Sequence, residues 1–457
     1  MQLLDLITIF IFALGIVIMG LSFSGKGRNM KSFFAAGGAV PWAMSGLSLF
    51  MGFFSAGTFV VWGSIAYSLG WIAISIQWTM AIAGFVVGFF IAPRWHKTSA
   101  LTVAEYITRR LGVNTQKTYT YLFLFISLFT TGSFLYPVAK IVEVSTGMPL
   151  DLCILLLGGF CIVYVAAGGL WAVVSTDVLQ FIILTAAVLI VVPLSFGRVG
   201  GVVNFIESIP ATYFNLVNGE YTIGFIIAFG VYNAIFLGGN WAYVQRYASV
   251  NSQSSARKVG FLFGGLYVVS AVLWMLPPMI YRIVNPSLST IDAEGAYLMM
   301  CKEVLPAGLL GLMLSGMVFA TASSLNATLN ISSGVVTNDI FKRLFPQSSD
   351  KTLMRVARIS TIIFGLLAII VALLIPLMGG IVNVVISVAA LTGVPLYLPI
   401  IWTLFSKRQT EYSVITTTLV SLGANAFFKF ITPLWGFGFN RAEEMIVGVA
   451  FPVFCLI

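Results

Sequence analysis

Long runs of apolar residues, separated by short polar stretches, follow one another from one end of this chain to the other. A helix that crosses a bilayer needs about 20 mostly apolar residues. The runs lie at residues 4–22, 42–67, 70–93, 119–146, 149–168, 170–196, 222–243, 258–282, 305–335, 353–377, 380–405, 412–431 and 444–457. They are too long and too evenly apolar for the alternating strands of a membrane β-barrel. The pattern predicts an all-α polytopic membrane protein with about thirteen spans.

Two of these runs are interrupted by glycine and polar residues. The second contains Gly52, Ser55 and Gly57, and the seventh contains Gly239 and Asn240. Each glycine weakens a helix by about 1 kcal/mol. Unwound backbone inside a membrane is tolerated only around a cavity. We therefore predict two broken helices, although intact helices that are merely rich in glycine are the alternative.

The two interrupted runs are five spans apart, which is typical of two inverted repeats of five spans each. This pattern divides a single transmembrane domain, residues 1–457, into four regions. We expect a leading helix and loop in 1–35, the first repeat in 40–200, the second repeat in 220–408 and trailing helices in 409–457.

Composition and charge support the membrane assignment. Hydrophobic residues make up 59% of the chain and charged residues 9%, against roughly 25% charged residues in soluble domains. The net charge of +9 does not indicate a nucleic-acid partner, because most of the 24 Lys and Arg lie in every second loop. Such loops face the cytoplasm. We therefore expect the N-terminus to lie outside.

The stretch 314–340 carries many hydroxyl groups inside an apolar run. At helical pitch Ala320, Ser323, Ser324 and Ala327 share one face. Small residues allow another backbone to come close, and uncharged oxygens suit a weakly held alkali cation. The alternative is a tightly packed helix whose hydroxyls bond to carbonyls one turn earlier.

Three ionisable residues fall within apolar runs: Lys140, Glu143 and Asp177. Each needs a partner or water, because a charge facing lipid costs several kcal/mol. Lys140 and Glu143 are three apart and predict a pair on one helix face. Asp177 is interpreted either as a helix cap or as part of a cation path. The sequence contains no constellation typical of enzyme chemistry, and we expect no enzymatic activity.

Several segments resemble the sodium/solute symporters, a family that includes bacterial sodium/galactose, sodium/proline and sodium/sialic acid transporters. The similarity extends from about residue 20 to 408. It is carried by the interrupted run at 46–68 and by three motifs: YVAAGGLWAVVSTDVLQ at 164–180, VQRYASVNSQSSARK at 244–258, and ATASSLNATLN followed by TNDIF at 320–341.

The resemblance implies the five-plus-five fold of the bacterial leucine transporter and a sodium site. Carried over by position, the sodium ligands are the backbone carbonyls of Met51, Phe54 and Ala320 and the hydroxyls of Ser323 and Ser324. Asp177 aligns with an aspartate on the route by which sodium reaches the cytoplasm. Members with a second sodium site have further hydroxyls where this chain has Asn326 and Ala327, so we expect one sodium per cycle.

The resemblance also implies a set of solute-binding residues. These are Ser55, Thr58, Gln77, Asn240, Trp241, Tyr243 and Tyr267, the last near the position of a lysine in the galactose member. They are uncharged and favour a neutral polyol such as a sugar. An amino acid or an organic or sialic acid is the alternative, because a helix break supplies an N-terminus for a carboxylate.

Together these features predict a sodium-coupled secondary active symporter that works by alternating access. As implied by the resemblance, we expect it in the bacterial inner membrane, embedded in the lipid bilayer, as a monomer with no nucleic-acid partner. Two alternatives are a membrane sensor of the same fold, which would continue into soluble helical domains, and a passive channel.

Overall fold

The structure, a computed structural model of the chain, describes residues 2–24, 40–100, 102–164 and 170–456. Every regular element in these ranges is helical. The basic loop with Lys26, Arg28 and Lys31 lies outside the described residues, as does the side chain of Ser323.

Eighteen helices, labelled here in chain order, build the described part of the protein. They are α1 (Leu3–Ser24), α2 (Trp42–Met51), α3 (Thr58–Leu69), α4 (Ile72–Lys97), α5 (Val103–Leu111), α6 (Val113–Thr146), α7 (Leu150–Tyr164), α8 (Leu170–Arg198), α9 (Val202–Ser208), α10 (Ile223–Gly239), α11 (Trp241–Ala248), α12 (Gln253–Val284), α13 (Ala296–Val304), α14 (Leu309–Val335), α15 (Asp350–Leu374), α16 (Ile381–Thr403), α17 (Glu411–Trp435) and α18 (Arg441–Leu456). Single 3₁₀ turns lie at Ala211–Phe214, Asp292–Gly295 and Pro376–Met378, and a π turn, Val336–Phe341, and Lys342–Leu344 extend α14.

Within the described ranges, seven of these helices are long and apolar enough to cross a membrane, or eight when the bent pair α10 and α11 counts as one span. Shorter apolar helices occupy other predicted runs, at Leu3–Phe12, Trp42–Met51, Thr58–Leu69, Leu150–Gly159 and Leu309–Thr321. The polytopic helical architecture follows from these elements, whereas the count of thirteen spans stays a prediction.

Polar residues mark the starts of several helices, as expected from their unpaired amides. Thr222 accepts a hydrogen bond from the Phe225 amide and begins α10. Thr102 begins the short helix α5 in the same way. Ser252 caps α12, so these boundaries follow from local sequence.

Both predicted helix breaks are present. α2 ends at Met51, and residues 52–55 form a turn and a bend before the chain becomes helical again. In the seventh run the axes of α10 and α11 differ by 59°. Asn240 lies between them and accepts a hydrogen bond from the Ala242 amide at 3.0 Å, so its side chain caps α11.

Helix α14, which contains the hydroxyl-rich stretch, packs against α1, α6, α8 and α15. At its start Asp5 of α1 accepts hydrogen bonds from the amides of Gly308 (2.7 Å) and Gly311 (3.1 Å). A carboxylate satisfies unpaired amides at a helix N-terminus and complements the helix dipole. The leading helix is thereby attached to the N-terminal end of α14.

Candidate functional site

A cavity lies between the two broken helices, α6, α8, α14 and α16. Its lining includes Ser48 and Met51 of α2, Asp177 of α8, Ser324 and Thr328 of α14, Tyr397 of α16, and Asn240, Tyr243 and Arg246 at the second break. It leaves about 90 Å³ for the centres of water molecules, where one water needs roughly 10–15 Å³. Several waters, or an ion with part of its hydration shell, fit this space.

Of the five predicted sodium ligands, Met51 and Ser324 line this cavity, whereas Phe54 and Ala320 are not among its lining residues. Met51 lies at the end of α2, and Ser324 lies in α14. The Ser324 hydroxyl is 3.5 Å from the Ala320 carbonyl, which is a weak hydrogen bond at best. Its oxygen therefore has capacity for another partner.

Two main-chain hydrogen bonds flank the first break. The Phe54 amide bonds to the Phe50 carbonyl at 3.0 Å, and the Thr58 amide bonds to the Ser55 carbonyl at 3.0 Å. The carbonyls of Met51 and Phe54, which are the predicted ligands, stand between these acceptors. The Phe54 ring points into the core and stacks on Trp274, with centroids 4.8 Å apart.

Asp177 lies about two turns inside α8, so it is not the cap residue of that helix. Its Oδ2 accepts a hydrogen bond of 2.6 Å from the hydroxyl of Ser48. Both side chains are buried, and both residues line the cavity. Its position inside α8 does not fit a helix cap, and the cation path stays a prediction.

Arg246 departs from the pattern in which most Lys and Arg lie in loops. It lies in α11 with 8% of its surface exposed, and it lines the cavity. One guanidinium nitrogen donates to the Ala242 carbonyl at 3.0 Å, and its Nε has no hydrogen-bond partner within the described ranges. Its spacing of three from Tyr243, one helical turn, was the sequence signal for a shared face.

Of the predicted solute-binding residues, Asn240 and Tyr243 line the cavity. The Asn240 amide nitrogen is 3.4 Å from the Tyr397 hydroxyl. The Tyr243 ring lies 5.0 Å from that of Phe53 and 5.5 Å from that of Phe236. Polar groups and aromatic faces therefore meet at the second break.

Two of the other predicted solute residues, Trp241 and Tyr267, pack behind this wall. Trp241 stacks on Phe123, which itself lines the cavity, with centroids 4.6 Å apart. Tyr267 is 1% exposed and packs against Trp274 in the aromatic core. The cavity in this conformation therefore reaches only part of the predicted solute set.

Three further predicted solute residues do not line the cavity, and two of them, Ser55 and Thr58, lie at the first break. The Thr58 hydroxyl donates to the Phe53 carbonyl across the break. Ser55 is 3% exposed, and its backbone carbonyl accepts a hydrogen bond from the Thr58 amide. Gln77 is buried, and its amide nitrogen has no hydrogen-bond partner among the described residues. A buried unpaired amide is costly, so Gln77 is suited to a polar ligand.

The turn Asp292–Gly295 packs against α3, the helix that follows the first break. Glu294 accepts hydrogen bonds from the Tyr136 hydroxyl at 2.8 Å and from the Ile381 amide at 2.9 Å. Burial raises the pKa of the Glu294 carboxyl, and these hydrogen bonds oppose the rise. Nearby, the predicted pairing of Lys140 with Glu143 is confirmed at 2.9 Å.

Comparison with known protein families gives one match over most of the chain. The family model of the sodium:solute symporter family matches residues 33–420. A sodium/glucose cotransporter from Vibrio parahaemolyticus is 28% identical over 94% of this chain and 86% of its own length. Mouse solute carrier family 5 member 4B is 25% identical over 98% of this chain and 75% of its own length.

Solved structures give the same fold. A Na⁺-coupled sialic acid symporter in a substrate-bound outward-open state matches with a TM-score of 0.82 at 21% identity, over 99% of this chain and 96% of that one. Mhp1, a nucleobase-cation-symport-1 family transporter in a closed conformation, matches with a TM-score of 0.59 at 14% identity, over 94% of both chains. The helices of this chain therefore have the leucine-transporter arrangement shared by these neighbours.

Proposed function

This chain belongs to the sodium:solute symporter family, and on that premise we propose that it imports a small polar organic solute, a sugar in the first place, together with one sodium ion. The observation that carries the proposal is the position of Met51 and Ser324. Met51 is the last residue of α2, at the first helix break, and Ser324 carries a hydroxyl of α14. Both residues line the same cavity.

In this proposal the sodium ion binds between the broken helix and α14. The carbonyls of Met51, Phe54 and Ala320 and the hydroxyls of Ser323 and Ser324 supply five neutral oxygens. Neutral oxygen ligands bind an alkali cation weakly enough for release. Holding the broken helix against α14 pre-forms the solute site, so that sodium and solute increase each other's affinity. Such coupling is typically 1–3 kcal/mol and is reciprocal.

Release then proceeds through the cavity past Asp177. Thr328 and Arg246 line the cavity on the halves of their helices that adjoin loops predicted to be cytoplasmic. This supports an inward-facing conformation, with Glu294 and its turn closing the outer side. An inside-negative potential contributes about 2.3 kcal/mol per charge per 100 mV to inward movement. Rocking of two inverted repeats, 40–200 and 220–408, would alternate the access.

The solute site in this proposal combines Asn240 and Tyr243 with Ser55, Thr58, Gln77, Trp241 and Tyr267. The relatives named for sodium/glucose cotransport support a sugar. The unpaired amide of Gln77 suits a hydroxyl-rich neutral ligand, because amide groups both donate and accept.

An acidic solute is the second candidate, and Arg246 favours it. A buried guanidinium beside an aromatic wall is the group that binds a carboxylate best. Sugar and acid substrates therefore predict different consequences of Arg246→Gln. The variant would abolish uptake of an acid but keep the solute half-saturation of a sugar.

Transport by the purified protein in proteoliposomes tests the proposal. Radiolabelled sugars, amino acids and organic acids are offered with an inward sodium gradient and, in parallel, with potassium. We expect one class to accumulate with sodium alone and to show trans-stimulated counterflow. Equal uptake with potassium would overturn sodium coupling, and uptake without counterflow would indicate a channel. Solute binding without any accumulation would indicate a sensor.

Two further experiments test the remaining expectations. We propose that the protein resides in the bacterial inner membrane as a monomer with its N-terminus outside. Labelling of a cysteine introduced at Gln2 by a membrane-impermeant reagent, in intact spheroplasts, tests the orientation. Size-exclusion chromatography with light scattering tests the monomer.

A further inference from the structure

Thr321 connects the first helix break to α14. The amide of Ala56, just beyond the break, donates a hydrogen bond of 3.0 Å to the Thr321 hydroxyl oxygen. The same hydroxyl donates its proton to the Met317 carbonyl at 2.9 Å. Thr321 and Ala56 are both fully buried.

These two bonds fix the direction of the hydroxyl. A threonine hydroxyl has one proton and two lone pairs. Because the proton is used on the Met317 carbonyl, a lone pair is free to face the Ala56 amide. That amide belongs to backbone whose regular helical pairing is interrupted, and a buried amide needs a partner. The hydroxyl of α14 supplies it.

The hydrogen bond joins the two backbone segments that would hold the ion. Ala320, whose carbonyl is a proposed ligand, directly precedes Thr321. Phe54, whose carbonyl is another, lies two residues before Ala56. We propose that Thr321 is a positioning residue for the co-transported cation: it sets the separation of the broken helix and α14 without binding the ion itself. This inference rests on the proposed sodium symport.

The test compares three variants in proteoliposomes. Thr321→Val keeps the volume and removes the acceptor, Thr321→Ser keeps the acceptor, and Ser315→Ala is a control in the same helix. The Ser315 hydroxyl is also buried and bonds back to the Gly311 carbonyl at 2.7 Å. Sodium half-saturation of uptake is measured at saturating solute, and solute half-saturation at saturating sodium.

We expect Thr321→Val to raise the sodium half-saturation by about ten-fold, within the range typical of site coupling. The solute half-saturation at saturating sodium should change by less than about two-fold. Thr321→Ser and Ser315→Ala should resemble the wild type. An unchanged sodium half-saturation in a folded Thr321→Val protein overturns the proposal, as does an equal rise of both constants.

If the Thr321→Val protein does not fold, a second measurement tests the proposal. Thr321→Ala is then compared with Thr321→Ser by the rise in unfolding temperature that sodium produces in detergent, relative to potassium. Loss of the sodium-specific rise in the alanine variant alone supports positioning, and an equal rise in both overturns it. If the wild type itself shows no sodium dependence in either assay, the proposed symport fails, which separates that failure from the failure of Thr321.

Discussion

The hydroxyl of Ser48 donates a hydrogen bond of 2.6 Å to the carboxylate of Asp177, across the contact between α2 and α8. The two residues are 129 positions apart in the chain. Both are buried at the wall of the cavity, on the side proposed for ion release. An acidic group in this position lowers the energy of a passing cation.

Asp177→Asn is expected to slow sodium-driven uptake by about ten-fold, equivalent to ~1.4 kcal/mol in the barrier. The neutral amide keeps the shape but no longer attracts the leaving ion. Ser48→Ala is the control, because it removes the hydrogen bond and keeps the charge. Initial uptake rates at saturating sodium measure the effect. A Ser48→Ala protein as slow as Asp177→Asn would show that the contact, and not the charge, matters.

Replacing both Ser323 and Ser324 by alanine is expected to abolish sodium-dependent uptake without unfolding the protein. The change removes the two side-chain oxygens proposed for the ion, while alanine preserves the helix. Sodium half-saturation and thermal unfolding are measured together. An unchanged sodium half-saturation in this double variant would exclude these hydroxyls as ligands.

Gln77→Ala is expected to raise the solute half-saturation by about ten-fold, and the sodium half-saturation by less. Its buried amide lacks a partner among the described residues, and a solute hydrogen bond in such a site is worth roughly 1–1.5 kcal/mol. Asn233→Ala is the contrasting variant, since the Asn233 amide already donates to Thr79 at 2.8 Å. Asn233→Ala should lower the unfolding temperature and leave the solute half-saturation unchanged. Equal loss of sodium and solute binding in Gln77→Ala would indicate a damaged fold.

Gly311→Ala is expected to destabilise the protein by about 1–3 kcal/mol, the usual cost of overpacking. A methyl group there would overlap the Asp5 carbonyl and the Thr8 hydroxyl of α1. Gly334→Ala in the same helix is the matched control, because a methyl group there meets nothing within 4 Å. Thermal unfolding in detergent should be lower for Gly311→Ala and unchanged or higher for Gly334→Ala. Equal unfolding temperatures would show that α1 is not tightly attached.

The raised pKa of Glu294 predicts that the stability of the protein depends on pH. Burial raises the pKa of this carboxyl above the ordinary value of 4.5, so the folded protein retains this proton to higher pH than the unfolded chain. The contribution of Glu294 to stability therefore falls as pH rises from about 4.5 through the raised pKa. Glu294→Gln should flatten that part of the curve of unfolding temperature against pH. A variant curve parallel to that of the wild type would assign the effect to another group.

Much of this protein was determined by local sequence. The lengths of the apolar runs predict membrane helices, because backbone N–H and C=O groups in lipid must form their hydrogen bonds within the protein. Glycines at 52, 57 and 239 predict the two breaks, because each removes helix stability within its own turn. The hydroxyls of α14 share a face through helical periodicity alone, so the two sides of the candidate ion site could be foreseen.

Only the tertiary structure decided which side chains meet. The bond from Ala56 to Thr321 joins residues 265 positions apart, and no local pattern encodes that pairing. Arg246 has the charge of a loop residue but is buried at the cavity, on the helix α11 that follows the 59° bend at Asn240. Asn240 and Tyr243 reach the cavity while Trp241 packs on Phe123, since one helical turn faces two environments. Periodicity fixes the faces of a helix, and packing between distant helices fixes what each face contacts.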